Sequence, residues 1–284
     1  MSFRGPGSWV SGLELKLANK KETAPVSVVI PCYRASETIV RALISVANQS
    51  YRPCEVIVVD DGSDDDTLKV LSVLVKEYGE NWLKVFTLEK NLGPAAARNY
   101  GWERASQPFI AFLDADDTWY AEKLILQLGF MESHPEIGLS GHFCKTLLTH
   151  ESEPQLAKRF QVSECFFYKL LYSNCLRTPT VMLRSDIELR FPEGWRYGED
   201  YHFWLSFLGA GGRAVFLDLP LAATYKPAFG KAGQSAALWR MEKAELATFV
   251  ALWRKKKISL SLLAGAVSWS LLKFIRRLLI TKFR

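Results

Sequence analysis

The sequence predicts an α/β fold built on a mainly parallel sheet, and three observations carry that prediction. Apolar runs of strand length recur through the first 120 residues, as expected for strands buried on both faces. Between them lie segments with apolar residues at helical spacing, the alternation of right-handed βαβ units. Pro31-Cys32-Tyr33, Asp60-Asp61 and Asp114 to Asp117 each follow one of the runs. They therefore gather at the carboxyl ends of the strands, where open sheets of this kind bind ligands.

In chain order, residues 1–24 are weakly patterned and read as a loose arm. Val26 to Ile30 is the first strand, stopped by Pro31, and Glu37 to Gln49 is a helix with Ile39, Leu43, Ile44 and Val46 on one side. Glu55 to Val59 is the second strand. Ser63 and Asp66 have the spacing of a capping box for a helix carrying Leu68, Leu71, Val75 and Tyr78. Leu83 to Leu88 is the third strand, and Pro94 stands as the first residue of a helix through Ala105. Phe109 to Leu113 is the fourth strand. Beyond it, helices are expected over 122–133, 165–172 and 201–208, with a short strand at Val215 to Leu217. Residues 232–253 and a segment from Ile258 onward read as terminal helices.

Three carboxylates within Asp114-Ala115-Asp116-Asp117 repel one another unless a cation sits among them. In an extended chain Asp114 and Asp116 point to the same side and can converge on a hard divalent ion, which takes oxygen ligands. The alternative is a solvated acidic turn that caps the next helix. Arg98, one turn into the helix begun at Pro94, can bridge phosphate oxygens, or can be a solvated surface arginine. Glu199 and Asp200 open a helix, where acids are also favoured by the helix dipole alone. Five cysteines, with no C-x-x-C pair, suit reduced thiols and argue against a zinc site or a disulfide framework. His134, His142, His150 and His202 show no ligand spacing. No secretory signal is seen near Met1.

The matching stretches are Val28-Val29-Ile30-Pro31-Cys32-Tyr33, Val58-Val59-Asp60-Asp61-Gly62-Ser63, Asn91-Leu92-Gly93-Pro94-Ala95-Ala96-Ala97-Arg98-Asn99, Leu113-Asp114-Ala115-Asp116-Asp117 and Gly198-Glu199-Asp200. In this order, over about residues 26–226, they closely resemble the family 2 glycosyltransferases, inverting enzymes with the GT-A fold. The resemblance implies a glycosyltransferase domain over 25–230. It places Pro31 and Tyr33 as the floor under a nucleobase, and Asp61 as acceptor of a uracil-type ring N–H. Arg98 would then meet the diphosphate, Asp114 the ribose or the ion, and Asp116 the ion itself, Mn²⁺ or Mg²⁺. Asp200 would be the base that takes the acceptor hydroxyl's proton, with Glu199 as its support. The donor implied is a nucleotide-diphosphate sugar, most simply a UDP-sugar, and the acceptor a lipid-linked saccharide of surface polysaccharide or lipopolysaccharide synthesis. One departure is visible. Where the family often carries a His after a Tyr-Arg pair, this chain has Tyr225-Lys226-Pro227-Ala228-Phe229, which leaves a third protein ligand in doubt.

The charge is unevenly placed. The chain carries +6, while residues 246–284 hold nine basic residues and no acid, so residues 1–245 carry −3. Ile258 to Leu272 has no charge but is shorter than the ~20 residues needed to cross a bilayer. Lys273, Arg276 and Arg277 then share one helical face among aliphatic residues. Residues 231–284 therefore read as basic amphipathic helices suited to an anionic membrane surface through 254–284, with the protein peripheral at its cytoplasmic face. The alternative is a helix packed on the domain. Nucleic acid is disfavoured, because the basic residues alternate with aliphatic runs rather than exposed aromatics.

Four rival functions differ in what they need. A polyprenyl-phosphate glycosyltransferase has an acceptor that is already ionised and requires no base. A sugar nucleotidyltransferase would place a Gly-rich phosphate loop where Pro31-Cys32-Tyr33-Arg34 stands. A dehydrogenase would show G-x-G-x-x-G after a strand, whereas Gly209-Ala210-Gly211-Gly212 follows a predicted helix. A non-catalytic membrane-binding module would need only the tail.

Overall fold

The computed structural model describes residues 8–11, 22–147, 159–225 and 237–282. Its first half is the expected parallel sheet. Strands β2 (Ala24–Cys32), β3 (Pro53–Asp60), β4 (Leu83–Thr87) and β5 (Phe109–Phe112) lie in the order β4-β3-β2-β5, all parallel. Helices α1 (Ile39–Ala47), α2 (Thr67–Tyr78) and α3 (Pro94–Glu103) make the crossovers. The unbroken apolar run of β3 follows from burial on both faces. Val56 and Val58 pack with Leu43, Val46 and Leu71, while Ile57 and Val59 pack with Ala97 of α3.

The second half is mixed. Strand β9 (Met182–Arg184) runs antiparallel between β5 and β7 (Leu139–Thr146), and β10 (Ala214–Thr224) lies parallel to β7. Strand β8 (Arg159–Glu164) is antiparallel to β10, and β6 (Thr118–Trp119) pairs with β10 off the main path. Periodicity alone does not mark β7, because Ser140 and His142 are buried in it beside Leu139.

Two expectations are corrected here. The arm is not loose where it is described: β1 (Ser8–Ser11) pairs antiparallel with β8 and caps that edge of the sheet, satisfying backbone groups that an open edge leaves unpaired. The rest of the arm, 1–7 and 12–21, lies outside the described residues, as does the run after Tyr225. The Ser63–Asp66 capping box also does not form. Ser63 Oγ instead accepts the Arg34 amide at 2.8 Å, tying the β2–α1 loop to the end of β3, and α2 starts only at Thr67.

Helices α4 (Lys123–Ser133), α5 (Phe167–Tyr172) and α6 (Glu199–Gly209) complete the body, followed by α7 (Leu238–Arg254) and α8 (Leu260–Lys282). Phe249, Leu252, Ile258 and Ala266 join one core with Trp204 and Phe207 of α6, and Phe274 packs edge-on against Trp239 at 4.6 Å. The tail's charge is therefore not unopposed, as net charge alone implied. Lys273 Nζ meets Glu245 at 2.9 Å, and Arg277 meets Glu242 at 3.2 Å and Glu245 at 3.5 Å. Counting acids only after Leu246 missed the pair that α7 brings alongside. The opposite side of α8 exposes Leu272, Ile275 and Leu279. No helix among the described residues is long and apolar enough to cross a membrane.

Candidate active site

Helix α3 delivers the residue on which the site is built. Its buried side is small, with Ala95, Ala97 and Gly101 against the sheet. A Cβ at Gly101 would lie 2.5 Å from Val29 Cγ1, so only glycine lets the helix approach β2 this closely. That approach sinks Arg98, one turn earlier, to the bottom of the site with 5% of its side chain exposed. Arg98 Nη2 donates to Asp114 Oδ1 and Nη1 to Glu199 Oε1, each at 2.8 Å. Burial opposes the guanidinium's charge, but the attraction of Asp114 and Glu199 outweighs it and pushes the group above its ordinary value.

Two clefts meet at this arginine. The larger, about 840 Å³, is lined by Pro31, Tyr33, Asp61, Arg98, Asp114 and Asp116. The second, about 540 Å³, also touches Arg98 and Asp114, and contains Glu199 and Asp200 at the start of α6. Every site residue read from the sequence thus lies on one connected surface.

Tyr33 lines the first cleft as an exposed residue, 42% accessible, whose aromatic ring is of the kind on which a planar base could lie. Asp61 is buried, and its two oxygens accept the amides of Leu92 and Gly93 at 2.7 and 2.8 Å. Its first task is therefore to clasp the loop before α3, although each oxygen keeps a second lone pair. Burial pushes its carboxyl up, against those two donors and Arg196. Gly62, at φ +70°, permits the clasp: a Cβ there would lie 2.8 Å from the Lys90 carbonyl carbon.

Asp114 and Asp116 do not sit in an extended chain as the spacing argument supposed. They flank a tight turn closed by the Asp117 amide on the Asp114 carbonyl at 3.0 Å, and still line the same cleft. Asp114 is pushed up chiefly by burial, with Arg98 opposing and Asp116 adding repulsion. Asp200 is partly buried. Its Oδ1 accepts the Tyr201 amide at 2.7 Å, and its Oδ2 receives the Thr178 hydroxyl at 3.3 Å. Burial first, then the Glu199 charge, push the carboxyl up to about 6, against the pull of Arg98.

Residues 27–182, more than half of the chain, match the sequence profile of Glycosyl transferase family 2. The chain belongs to this family. A curated relative from Escherichia coli, the "UDP-Glc:alpha-D-GlcNAc-diphosphoundecaprenol beta-1,3-glucosyltransferase WfgD", is 35% identical over 64% of this chain and 69% of its own length. An uncharacterised glycosyltransferase of Rickettsia felis is 34% identical over 64% of this chain, but the match spans only 30% of that protein. Among solved structures, S. aureus TarS 1-349 in complex with UDP-GlcNAc superposes with a TM-score of 0.64 at 24% identity, covering 89% of this chain and 72% of its own. The mannosyltransferase PcManGT from Pyrobaculum calidifontis, solved with GDP-Man and Mn²⁺, gives 0.66 at 18% identity over 95% of this chain and 80% of its own. The fold is the GT-A fold that the resemblance implied.

Arg98, which the resemblance implies at the diphosphate, lines the first cleft and also holds Asp114 and Glu199 through Nη2 and Nη1. The charge of Glu199 raises the neighbouring Asp200 carboxyl. Two cations that sequence reasoning missed line the first cleft: Arg177, exposed just before the Thr178–Thr180 turn, and Arg196, held by Asn91 at 2.9 Å. No motif announces either, since they reach the cleft only through tertiary packing. Asn99 was matched but given no role; it clasps the backbone of Phe191 through both its amide N and O, at 2.9 and 3.0 Å.

Among the described residues no group of three His, Cys, Asp or Glu is arranged to hold a metal ion. Asp114 and Asp116 nonetheless fit an ion that takes two carboxylates and completes its shell with water and phosphate oxygens. Their mutual repulsion, with Asp114 already raised by it, is the feature such an ion relieves.

Replacing Arg98 with Leu strands the buried Glu199 without its cation and removes the partner of the partly exposed Asp114. We expect urea denaturation to show a loss of about 3–5 kcal/mol; a loss under about 1 kcal/mol contradicts the organising role.

Proposed function

We propose that this family 2 glycosyltransferase moves a sugar from a UDP-sugar to a hydroxyl of a lipid-linked saccharide with inversion, at the cytoplasmic face of a membrane, in surface polysaccharide assembly. The observation that carries the reading is the pair of clefts meeting at Arg98, with Tyr33 and Asp61 in one and Asp200 in the other. The acceptor named for the WfgD relative supports the lipid-linked class.

The chemistry follows from the residues. The donor's base lies over Pro31 and Tyr33, and its diphosphate reaches Arg177 and Arg196. The acceptor enters by the second cleft. Asp200, its oxygens fixed by Tyr201 and Thr178, takes the hydroxyl proton as the acceptor oxygen attacks C1 from the face opposite the nucleotide. Arg98 holds Asp114 and Glu199 while charge moves past them. Mn²⁺ or Mg²⁺ at Asp114 and Asp116 would supply positive charge against the departing diphosphate. A carboxyl raised to about 6 suits a base near neutral pH, and it is this that favours a hydroxyl acceptor over a polyprenyl phosphate, which needs no deprotonation.

The exposed row Leu272, Ile275 and Leu279 on α8 is proposed to rest on the membrane surface. Changing all three to Asp is expected to abolish co-sedimentation with anionic vesicles, and unchanged binding moves the contact elsewhere. Removing α8 altogether is the poorer test, since it would uncover the buried Ala266 and Phe274.

Asp116→Ala should weaken Mn²⁺-dependent UDP binding by calorimetry at least ~10-fold; wild-type affinity in Mn²⁺ would rule out the assignment. Asp200→Asn should keep UDP affinity and lose at least ~10²-fold in transfer. Transfer by the wild type should rise with pH through about 6 and level off above it, since the deprotonated carboxylate is the active form. The stability sign is opposite. The native carboxyl, at about 6 against an ordinary 3.8, binds its proton more tightly than the unfolded chain does. That stabilisation is full below about pH 4 and lost as pH rises through about 6. Asp200→Asn should therefore gain stability relative to wild type as pH rises through that window and keep the gain above about 6. A mutant with near-normal transfer makes Asp200 a binding residue and the mechanism wrong.

A further inference from the structure

The second cleft holds more than a base. Four of its lining residues, Lys273, Arg276, Arg277 and Ile280, come from α8, a helix outside the 27–182 family match. The basic three stand at i, i+3 and i+4, so they share one face of the helix. Two of them are set in place by α7. Lys273 Nζ donates to Glu245 at 2.9 Å and to the Tyr172 carbonyl at 3.2 Å, and Arg277 Nη2 donates to Glu242 at 3.2 Å. Glu242 is itself buried and anchored by the Ser270 hydroxyl at 2.9 Å.

These contacts orient the cations without exhausting them. Lys273 keeps one of its three ammonium donors, and Arg277 keeps Nη1. Arg276 is exposed and makes no ion pair among the described residues. The cleft is thus divided by charge. The α6 side, with Glu199 and Asp200, repels an anion and suits a hydroxyl, whereas the α8 side suits an anion with several oxygens. Ile280 lines the cleft on the helix that also exposes Ile275 and Leu279, so an aliphatic chain has an apolar path outward. At about 540 Å³ the cleft has room for a sugar and its phosphates.

We infer that Arg276, with Lys273 and Arg277, binds the diphosphate of a lipid-diphosphate-linked acceptor and thereby presents the acceptor's sugar hydroxyl to Asp200. The inference rests on the proposed transferase reading and adds to it the residues that select the acceptor. It also divides α8 between two tasks, a cationic face for the diphosphate and an exposed apolar row for the bilayer.

The test uses the full-length protein, with farnesyl diphosphate as probe and UDP saturating so that the donor cleft is filled. Calorimetry should show binding by the wild type, a loss of at least about tenfold in Arg276→Glu and a smaller loss in Arg276→Gln, with UDP affinity unchanged in both. Farnesyl monophosphate should bind more weakly than the diphosphate. Equal affinity of wild type and Arg276→Glu, or displacement of farnesyl diphosphate by UDP, overturns the assignment. So does equal affinity for the monophosphate. Vesicles of phosphatidylglycerol and phosphatidylcholine form the lipid arm: if Arg276→Glu loses as much there as with the probe, the cluster reads anionic lipid in general and the diphosphate site is refuted. Failure of the wild type to bind UDP would count against the transferase reading instead. The probe, titrated without UDP, still decides the α8 site in that case.

Discussion

The site depends on one buried cation between two acids. Arg98 joins the turn after β5 to the start of α6, with Asp114 and Glu199 85 residues apart in sequence, through paired 2.8 Å contacts to those two acids. Breaking such a triad costs more than the pair contributes, because desolvated carboxylates are left without a partner. The triad also sets the electrostatics around it. Asp114, Asp116, Glu199 and Asp200 crowd the junction of the two clefts with Arg98 as the cation among them, and that crowding helps hold Asp200 near 6. The arginine thus couples the fold to the site, since the contacts that lock α3 to α6 also hold Asp114 and Glu199 where the two clefts meet.

Much of this was legible in the sequence for a physical reason. Parallel strands buried on both faces leave unbroken apolar runs, and their ligand-binding ends are marked by the residues that stop them. The four runs gave β2 to β5, and Pro31, Asp61 and Asp114 fell at the stops. What was not legible depended on contacts distant in the chain. Arg98 reads from sequence as a phosphate ligand or a solvated surface residue, and its contact with Glu199 shows only in the fold. Arg177 and Arg196 carry no local signature. Strand β7 hides because Ser140 and His142 are buried in it, and β1 because a four-residue strand exists only through its pairing with β8.

The tail shows the same limit. The charged residues of 246–284 are all basic, which by itself suggests a helix attracted to an anionic surface. In the fold, Glu242 and Glu245 of α7 meet Lys273 and Arg277, and Phe274 is buried. Both of the alternatives open from sequence are therefore partly realised: α8 packs on the body through one side and exposes an aliphatic row on another. Lys273, Arg276 and Arg277 line the cleft that holds Asp200, which makes the tail a wall of that cleft as well as an appendage.

If Asp200 serves a single displacement across the junction at Arg98, the anomeric configuration of the product records it. With an α-configured UDP-sugar that the chain accepts, the coupling between H1 and H2 of the transferred sugar can be read by proton NMR. A single displacement gives a β-linked product, with configuration inverted at C1. An α-linked product would contradict it, because retention needs a second displacement or a front-face route in which Asp200 is not the base.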